Sequence, residues 1–378
     1  MKRKRILFSG YYGFNNFGDD LFAATCEKNA STLRNGYEAI ILSPPIDGVE
    51  ANYLVPQELS DTYKSRNLAG KSVRLLYMLY GLLTCKEFVL SGGSLVTSDV
   101  SFFSARKFQR FFSKIGLINL SAIGISVGPF SSKNDEREAK LFLNELKYLS
   151  VRDSASLSEC NRLGISIKPN LYYDLAGSAY LPVKCSKNKT KKTLGVSVCR
   201  YESILGAPGN EIQRNRAIFE SIKNFSLQND IDVDILTLNS DEEIGDLEIS
   251  TSLHSYLTEN GVSARIINYL NPDETLKEIA GCDMFFSIRL HGAISAYLLE
   301  IPFILVEYHK KCTDFLDEIG FDNECRVKDH TRDTAHIVKC LESLLNDNKQ
   351  HKLSASIYKE KSRDAFLESP WNKKNNSI

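Results

Sequence analysis

At 378 residues, with 43% apolar and 25% charged side chains, the chain has the composition of a folded globular protein, and its length sets two domains as the expectation. Lysine plus arginine and aspartate plus glutamate balance at 47 each, which excludes the global positive field of a nucleic-acid-binding protein. Nine scattered cysteines without a CxxC pair argue against a disulfide framework, and no window supplies the ~18 apolar residues of a membrane helix, so the expected compartment is the cytoplasm.

The basic start MKRKR reads as a solvated lead-in to a first strand, RILFSG, rather than as a signal peptide. That strand runs into the loop SGYYGFNNFGDDLF and a helical pattern, DDLFAATCEKNASTLR. Gly10, Gly13 and Gly18 allow tight turns, and a helix starting near Gly18 points unpaired N–H groups back at the loop. The spacing fits neither the dinucleotide GxGxxG pattern nor a P-loop. Asn15 and Asn16 suit sugar hydroxyls, whereas Asp19 and Asp20 suit capping of the helix, so an anion-holding loop and a structural turn both remain open.

Apolar runs YEAIILS, KEFVLSG and LSAIGISVG follow as strands, and DEREAKLFLNELKYL as a helix. After the third strand comes VLSGGSLVTSD, in which Gly92, Gly93 and Ser94 form either a nest of N–H donors or a close strand–helix contact. A polar, lysine-rich break, LPVKCSKNKTKK, occupies residues 181–192, and the alternation then restarts. TLGVSVCR, IDVDILTL, ARIINYL, CDMFFSI and IPFILVEY read as strands, with a helix around 210–228 and a last helical stretch at about 331–367 that would pack back across the junction. Alternating strands and helices of this kind build parallel sheets covered by helices. The expected fold class is α/β: two Rossmann-like domains, residues 1–184 and 185–378, whose parallel sheets face a central cleft.

Ligands in such folds bind at the carboxyl ends of the strands. Arg289, Leu290 and His291 fall at the end of CDMFFSI, Tyr308 and Lys311 at the end of IPFILVEY, and Arg200 just past LGVSV. A lone histidine there is ordinarily a capping or packed residue; its company of two arginines and a lysine is what a small, multiply charged anion requires. The DVD at residues 232–234 sits at a strand's start, the wrong edge for a metal site, and His254, His330, His336 and His351 lack ligand-spaced partners, so no metal and no cofactor are expected.

Taken together, GYYGFNNFGDD, SGGSL, VRDSAS and RLHGAISAYLLEIPFILVEYHKK resemble the polysaccharide pyruvyl transferases, whose N-terminal motif is approximately G-Y-Y-G-x-x-N-x-G-D and whose distal motif is R-x-H followed by Y-x-x-K. The resemblance implies a GT-B-like fold, with the N-terminal domain on the acceptor side and the C-terminal domain on the donor side. It implies transfer of the enolpyruvyl carbons of phosphoenolpyruvate, as co-substrate, onto two hydroxyls of a sugar. The acceptor would be a glycan or a lipid-linked oligosaccharide in the making of a cell-surface polysaccharide, with peripheral association at the inner face of the cell membrane. His291 would be the acid, and Arg289, Arg200, Lys311, Tyr308 and Leu290 the donor-binding set. Asp19, Asn15, Asn16, Gly18, Gly92, Gly93, Ser94 and Arg152 would lie on the acceptor side. The chain departs from the family in having Ser91-Gly92-Gly93 in place of a glycine triplet and in placing the following acid one position late, at Asp99. A GT-B-type glycosyltransferase using a nucleotide-activated sugar, and a non-catalytic partner in polysaccharide assembly, are the competing expectations.

Overall fold

The computed structural model describes residues 4–30, 37–97, 105–183, 191–201, 209–346 and 350–372. Asp99, the break at 184–190 and the MKR start lie outside them. Twelve strands run along the described residues. They are β1 (Lys4–Ser9), β2 (Tyr37–Ile41), β3 (Glu87–Ser91), β4 (Asn119–Ile125), β5 (Tyr148–Val151), β6 (Asn170–Leu171), β7 (Thr193–Ser197), β8 (Asp232–Leu236), β9 (Ala264–Ile267), β10 (Met284–Ser287), β11 (Phe303–Glu307) and β12 (Val327–Lys328). All nine strands expected from apolar runs are present. β3, β7, β10 and β11 are buried at every residue, as strands covered on both faces must be.

Two compact units result. The first contains residues 1–14, 19–180 and 358–378; the second contains 15–18 and 181–357. The first holds a parallel six-stranded sheet in the order β2-β1-β3-β4-β5-β6, the second one in the order β12-β11-β10-β7-β8-β9. In each sheet the chain moves outward in one direction and then returns to build the other side. The reversal lies between β1 and β3 in the first sheet and between β7 and β10 in the second. In open parallel sheets ligands bind at such reversals, beyond the strands' carboxyl ends. Every motif singled out around Gly10–Gly18, Gly92–Ser94, Arg200 and Arg289–His291 directly follows one of these four strands.

Three expectations are corrected. The helix expected over DEREAKLFLNELKYL spans Lys133–Leu143, and its last apolar residues belong instead to β5. There, Ser121 and Ala122 of β4 pair with Tyr148 and Leu149, so a sheet position outweighs helical spacing. The single stretch expected at about 331–367 is two helices, Thr334–Ser343 and Ala355–Leu367. Residues 358–378 fall with the first unit, where a division at 184/185 would have put them in the second. The reason is packing. Tyr173 stacks on Tyr358 at 4.6 Å, and Trp371, 1% exposed, sits edge-on to Phe8 and Tyr148 at 6.3 and 6.4 Å.

Candidate active site

In the first unit, the loop after β1 is explained residue by residue. The Tyr12 ring lies where a side chain on Gly10 would be, and its hydroxyl donates to the Ser91 carbonyl at the tip of β3 at 2.6 Å. Gly13 adopts φ of +77°, a conformation that favours glycine, and its N–H donates to Asp20 Oδ1 at 2.8 Å. Asp20 is therefore the buried brace of the turn, whereas Asp19 faces the neighbouring glycine loop, its Oδ1 3.8 Å from where a Cβ on Gly93 would stand. Tyr11 stacks on Phe14 at 4.0 Å and keeps an exposed face at this edge.

Of the two readings of Gly92–Ser94, a nest of N–H donors or a close strand–helix contact, Gly92 fits the contact. The Gly92 N–H donates to the Ile123 carbonyl at 3.0 Å, continuing the sheet ladder, and is committed. Gly92 and Gly93 both have positive φ, and a Cβ on Gly92 would strike the Phe22 ring at 2.5 Å. Arg152, at the end of β5, is buried against Asp174 (Nη1–Oδ2 3.2 Å) and Asp153 (Nε–Oδ2 3.5 Å), and its Nη2 reaches Ser94 Oγ at 3.4 Å. Burial works against its charge and the two carboxylates prevail, so Arg152 is an ion-paired brace behind the exposed Ser94.

In the second unit, residues 15–18 lie along the segment that follows β8. Asn16 pairs antiparallel with Asn239, the Phe17 N–H donates to the Leu238 carbonyl at 2.9 Å, and the Ser240 N–H donates to the Asn15 carbonyl at 2.9 Å. Asn15 takes φ of +55°, and Asn16 Oδ1 accepts from the Gly18 N–H at 3.1 Å, so the amide proposed for sugar hydroxyls is partly spent on the turn. Gly18 packs directly on the His291 imidazole: a Cβ built there would overlap Nδ1 and Cγ. The two most separated motifs of the sequence thus meet within this unit, histidine against glycine.

The tips of β7 and β10 are clasped together. Ser197 Oγ and Ser287 Oγ are 2.7 Å apart, the Ile288 N–H donates to the Ser197 carbonyl at 2.8 Å, and Ser287 Oγ donates to the Arg289 carbonyl at 2.5 Å. A Cβ on Gly292 would meet Ser287 Oγ at 2.6 Å, so glycine lets the helix Leu290–Leu298 close onto the strand end. Leu290, expected among the donor contacts, turns into the core at 4% exposure.

Each arginine arrives with an acid that the sequence reading did not pair to it. Arg289 binds fully buried Asp246 through Nε at 3.0 Å and Nη2 at 2.5 Å. Burial pushes the Asp246 carboxyl up from the usual carboxylate range, and Arg289 pulls it back down. Arg200 bonds Glu248, and the buried Arg214, unnoticed in the sequence, bonds Asp329. Just past β7, burial pushes the Cys199 thiol up to about 11, with Asp246 adding to the rise and Arg289, Arg214 and Lys311 opposing it. Tyr308 lies in the same group, 8% exposed and 5.2 Å edge-on from the Tyr201 ring, with Lys311 Nζ 5.6 Å from its own ring centre. Burial holds its phenol protonated, and His309 Nδ1 accepts from the Lys311 N–H at 3.2 Å to cap the helix Lys310–Glu318. Two helices therefore begin at this edge with their N–H groups facing it.

Sequence reasoning missed Asp246 because it sits in SDEEIGDLE, which is indistinguishable from a solvated acidic loop. It missed Arg214 because that residue is internal to a helix, Gly209–Asn229, with no strand-end signal. The DVD pattern is structural: Asp234 is clamped by Arg265 at 2.7 and 2.9 Å. Among the described residues, no three histidine, cysteine or acidic side chains gather as a metal site would need.

Comparison with solved structures places the fold. UDP-GlcNAc 2-epimerase from Methanocaldococcus jannaschii superposes with a TM-score of 0.62 at 13% identity, covering 97% of this chain and 99% of that one. S. aureus MnaA, solved with UDP, gives 0.60 at 11% over 96% and 91%, and Anabaena HepE, solved with UDP-glucose, gives 0.55 at 12% over 97% of each. At such identities the likeness shows the fold alone, the GT-B class of α/β proteins. No curated protein matches the chain. A family model described as polysaccharide pyruvyl transferase matches residues 16–310.

Proposed function

The chain belongs to the polysaccharide pyruvyl transferase family, and on that premise we propose that it moves the enolpyruvyl group of phosphoenolpyruvate onto a sugar of a cell-surface polysaccharide or its lipid-linked precursor, closing a pyruvate ketal. The observation that carries this reading is the arrival of Arg289 and Lys311 at the carboxyl ends of the adjacent strands β10 and β11, beside the reversal point of the second sheet, with His291 two residues past Arg289. Phosphoenolpyruvate is small and carries both a carboxylate and a phosphate. Arg289, Lys311 and the N-termini of the two helices that begin at this edge supply the positive field that such a donor needs.

In the proposed reaction, imidazolium His291 gives its proton to the methylene carbon of the donor. The adjacent carbon becomes oxocarbenium-like, and one sugar hydroxyl adds to it. The second hydroxyl then displaces phosphate at the same carbon and closes the ring. Of the two hydroxyl protons released, one returns to His291 and the other leaves with phosphate. Contact with Gly18 fixes the ring's position, and Asp19, next in the chain, is the candidate for orienting an acceptor hydroxyl.

A nucleotide sugar as donor is the second reading, favoured by fold relatives solved with UDP and UDP-glucose. Purified protein is incubated with candidate glycans and either donor, and phosphate release and added mass are recorded. The first reading predicts a gain of pyruvic acid less one water with stoichiometric phosphate; a hexose-sized gain establishes the second. Lys311→Met weakens phosphoenolpyruvate binding by about 1.5–3 kcal/mol, the scale of a charge-assisted bond, measured by calorimetry.

A further inference from the structure

Arg289 and His291 are both held by one segment of the second unit, residues 238–246 after β8. Toward Arg289 the hold is direct. Asp246 takes the guanidinium side-on, through Nε at 3.0 Å and Nη2 at 2.5 Å, which fixes the plane of the group. Arg289 Nη1 bonds to no described residue, and the side chain keeps 21% exposure while that of Asp246 has none. The pair therefore occupies one edge of the guanidinium and leaves the other edge presented. Toward His291 the hold runs through the backbone. The bonds from Phe17 to Leu238 and from Ser240 to Asn15 seat Gly18 against the imidazole. Leu238 Cδ1 also lies 2.9 Å from where a Cβ on Gly292, next in the chain, would stand.

Asp246 immediately precedes the helix Leu247–Glu259, where an aspartate ordinarily caps, yet its side chain makes no cap bond. Asp153, Asn271 and Asp333, at the same place on other helices, all cap with their side chains. The Asp246 carboxylate is turned to Arg289 instead, and its backbone is tied down. Its N–H donates to the Asn239 carbonyl at 2.8 Å, and Asn239 Nδ2 donates to the Ile244 carbonyl at 3.1 Å. Asp241 Oδ1 accepts from the N–H groups of Glu243 and Ile244, each at 2.9 Å. A Cβ on Gly245 would stand 2.2 Å from the Asp241 carbonyl oxygen, so the turn closes around glycine. A carboxylate on so closely knit a turn holds its partner's orientation as well as its charge.

We infer that Asp246 is a positioning residue: from this turn it aims the free edge of the Arg289 guanidinium at an acidic group of the donor. The inference rests on the placing of the donor at Arg289 in the proposed function. Two variants and one spectrum test it. Asp246→Asn keeps the size but sets an amide N–H against a guanidinium N–H, so the side-on pair cannot form. Asp246→Glu keeps the charge but shifts the carboxylate by one methylene. In both, the KM for phosphoenolpyruvate rises by about ten-fold, and kcat per folded molecule falls by less than KM rises. A merely structural role would instead lower the folded fraction and leave KM where it was. In full-length protein labelled with 15N-arginine, the Arg289 Nη groups, assigned with Arg289→Lys, give separate resonances in the wild type because the pair hinders their rotation. They average in Asp246→Asn. An unchanged KM in both variants, or averaged Nη resonances in the wild type, overturns the inference. If neither variant folds, the wild-type spectrum still decides it. A wild type inert toward phosphoenolpyruvate refutes the proposed function, and the spectrum then decides the positioning of Arg289 by itself.

Discussion

At the scale of the residue, the pairing of Arg289 with Asp246 changes what a substitution there would mean. Arg289→Ala removes a proposed donor contact and also strands a fully buried carboxylate, so it should destabilise the fold by about 3–5 kcal/mol. Burial already raises the Asp246 carboxyl, and losing Arg289 raises it further. A raised carboxyl contributes no penalty below its unfolded value, because both states are then protonated; the penalty grows as pH rises past that value. Urea midpoints should therefore show the variant furthest below wild type at pH 7, with the gap narrowing toward about pH 4. An equal gap at both would mean that Asp246 is not the stranded group. Gly18→Ala is a cleaner probe of the site. The added methyl has to push the His291 imidazole aside, so turnover should fall by at least about ten-fold while the melting temperature changes little. Unchanged turnover would detach the histidine's position from catalysis.

At the scale of the element, what was legible followed from length and apolarity. Nine strands announced themselves as apolar runs because both faces of a parallel sheet are covered. β6 and β12, two residues each, offer no run to read, and β5 hid behind a helix whose apolar spacing continues into Tyr148 and Leu149. The strand-end positions of the candidate residues were legible for the same topological reason. Their acidic partners were not, because ion pairing is a matter of which loops fold together: Asp246 reaches Arg289 from the loop after β8, whose Asp246 N–H donates to the Asn239 carbonyl at 2.8 Å. The last segment shows the same limit. Nothing in its composition says that Trp371 completes the first unit's core between Phe8 and Tyr148. Trp371→Ala should cost about 3–5 kcal/mol in urea unfolding, and a loss under about 1 kcal/mol would remove that segment from the core. As the chain's only tryptophan, Trp371 also makes wild-type fluorescence a reporter of this unit's unfolding.

At the scale of the whole molecule, both units place their informative residues by one device, a sheet whose chain direction reverses beside a central strand. In the first unit the glycine loops after β1 and β3 flank the reversal; in the second, Cys199–Tyr201 and Arg289–His291 do. The family match, over residues 16–310, covers the second reversal whole and, of the first, β3 with its glycine loop, β1 lying before it. The central claim is that His291 delivers a proton to the methylene carbon of phosphoenolpyruvate while neighbouring cations hold the donor. The most direct test runs the purified wild type and His291→Ala in deuterium oxide with phosphoenolpyruvate and an acceptor glycan, and examines the ketal methyl group by mass spectrometry. The account predicts one solvent deuterium in the product methyl for the wild type, together with near-wild-type donor affinity and no detectable product for His291→Ala. A His291→Ala variant that forms ketal at the wild-type rate, or a wild type that adds a hexose and no pyruvate, would contradict it.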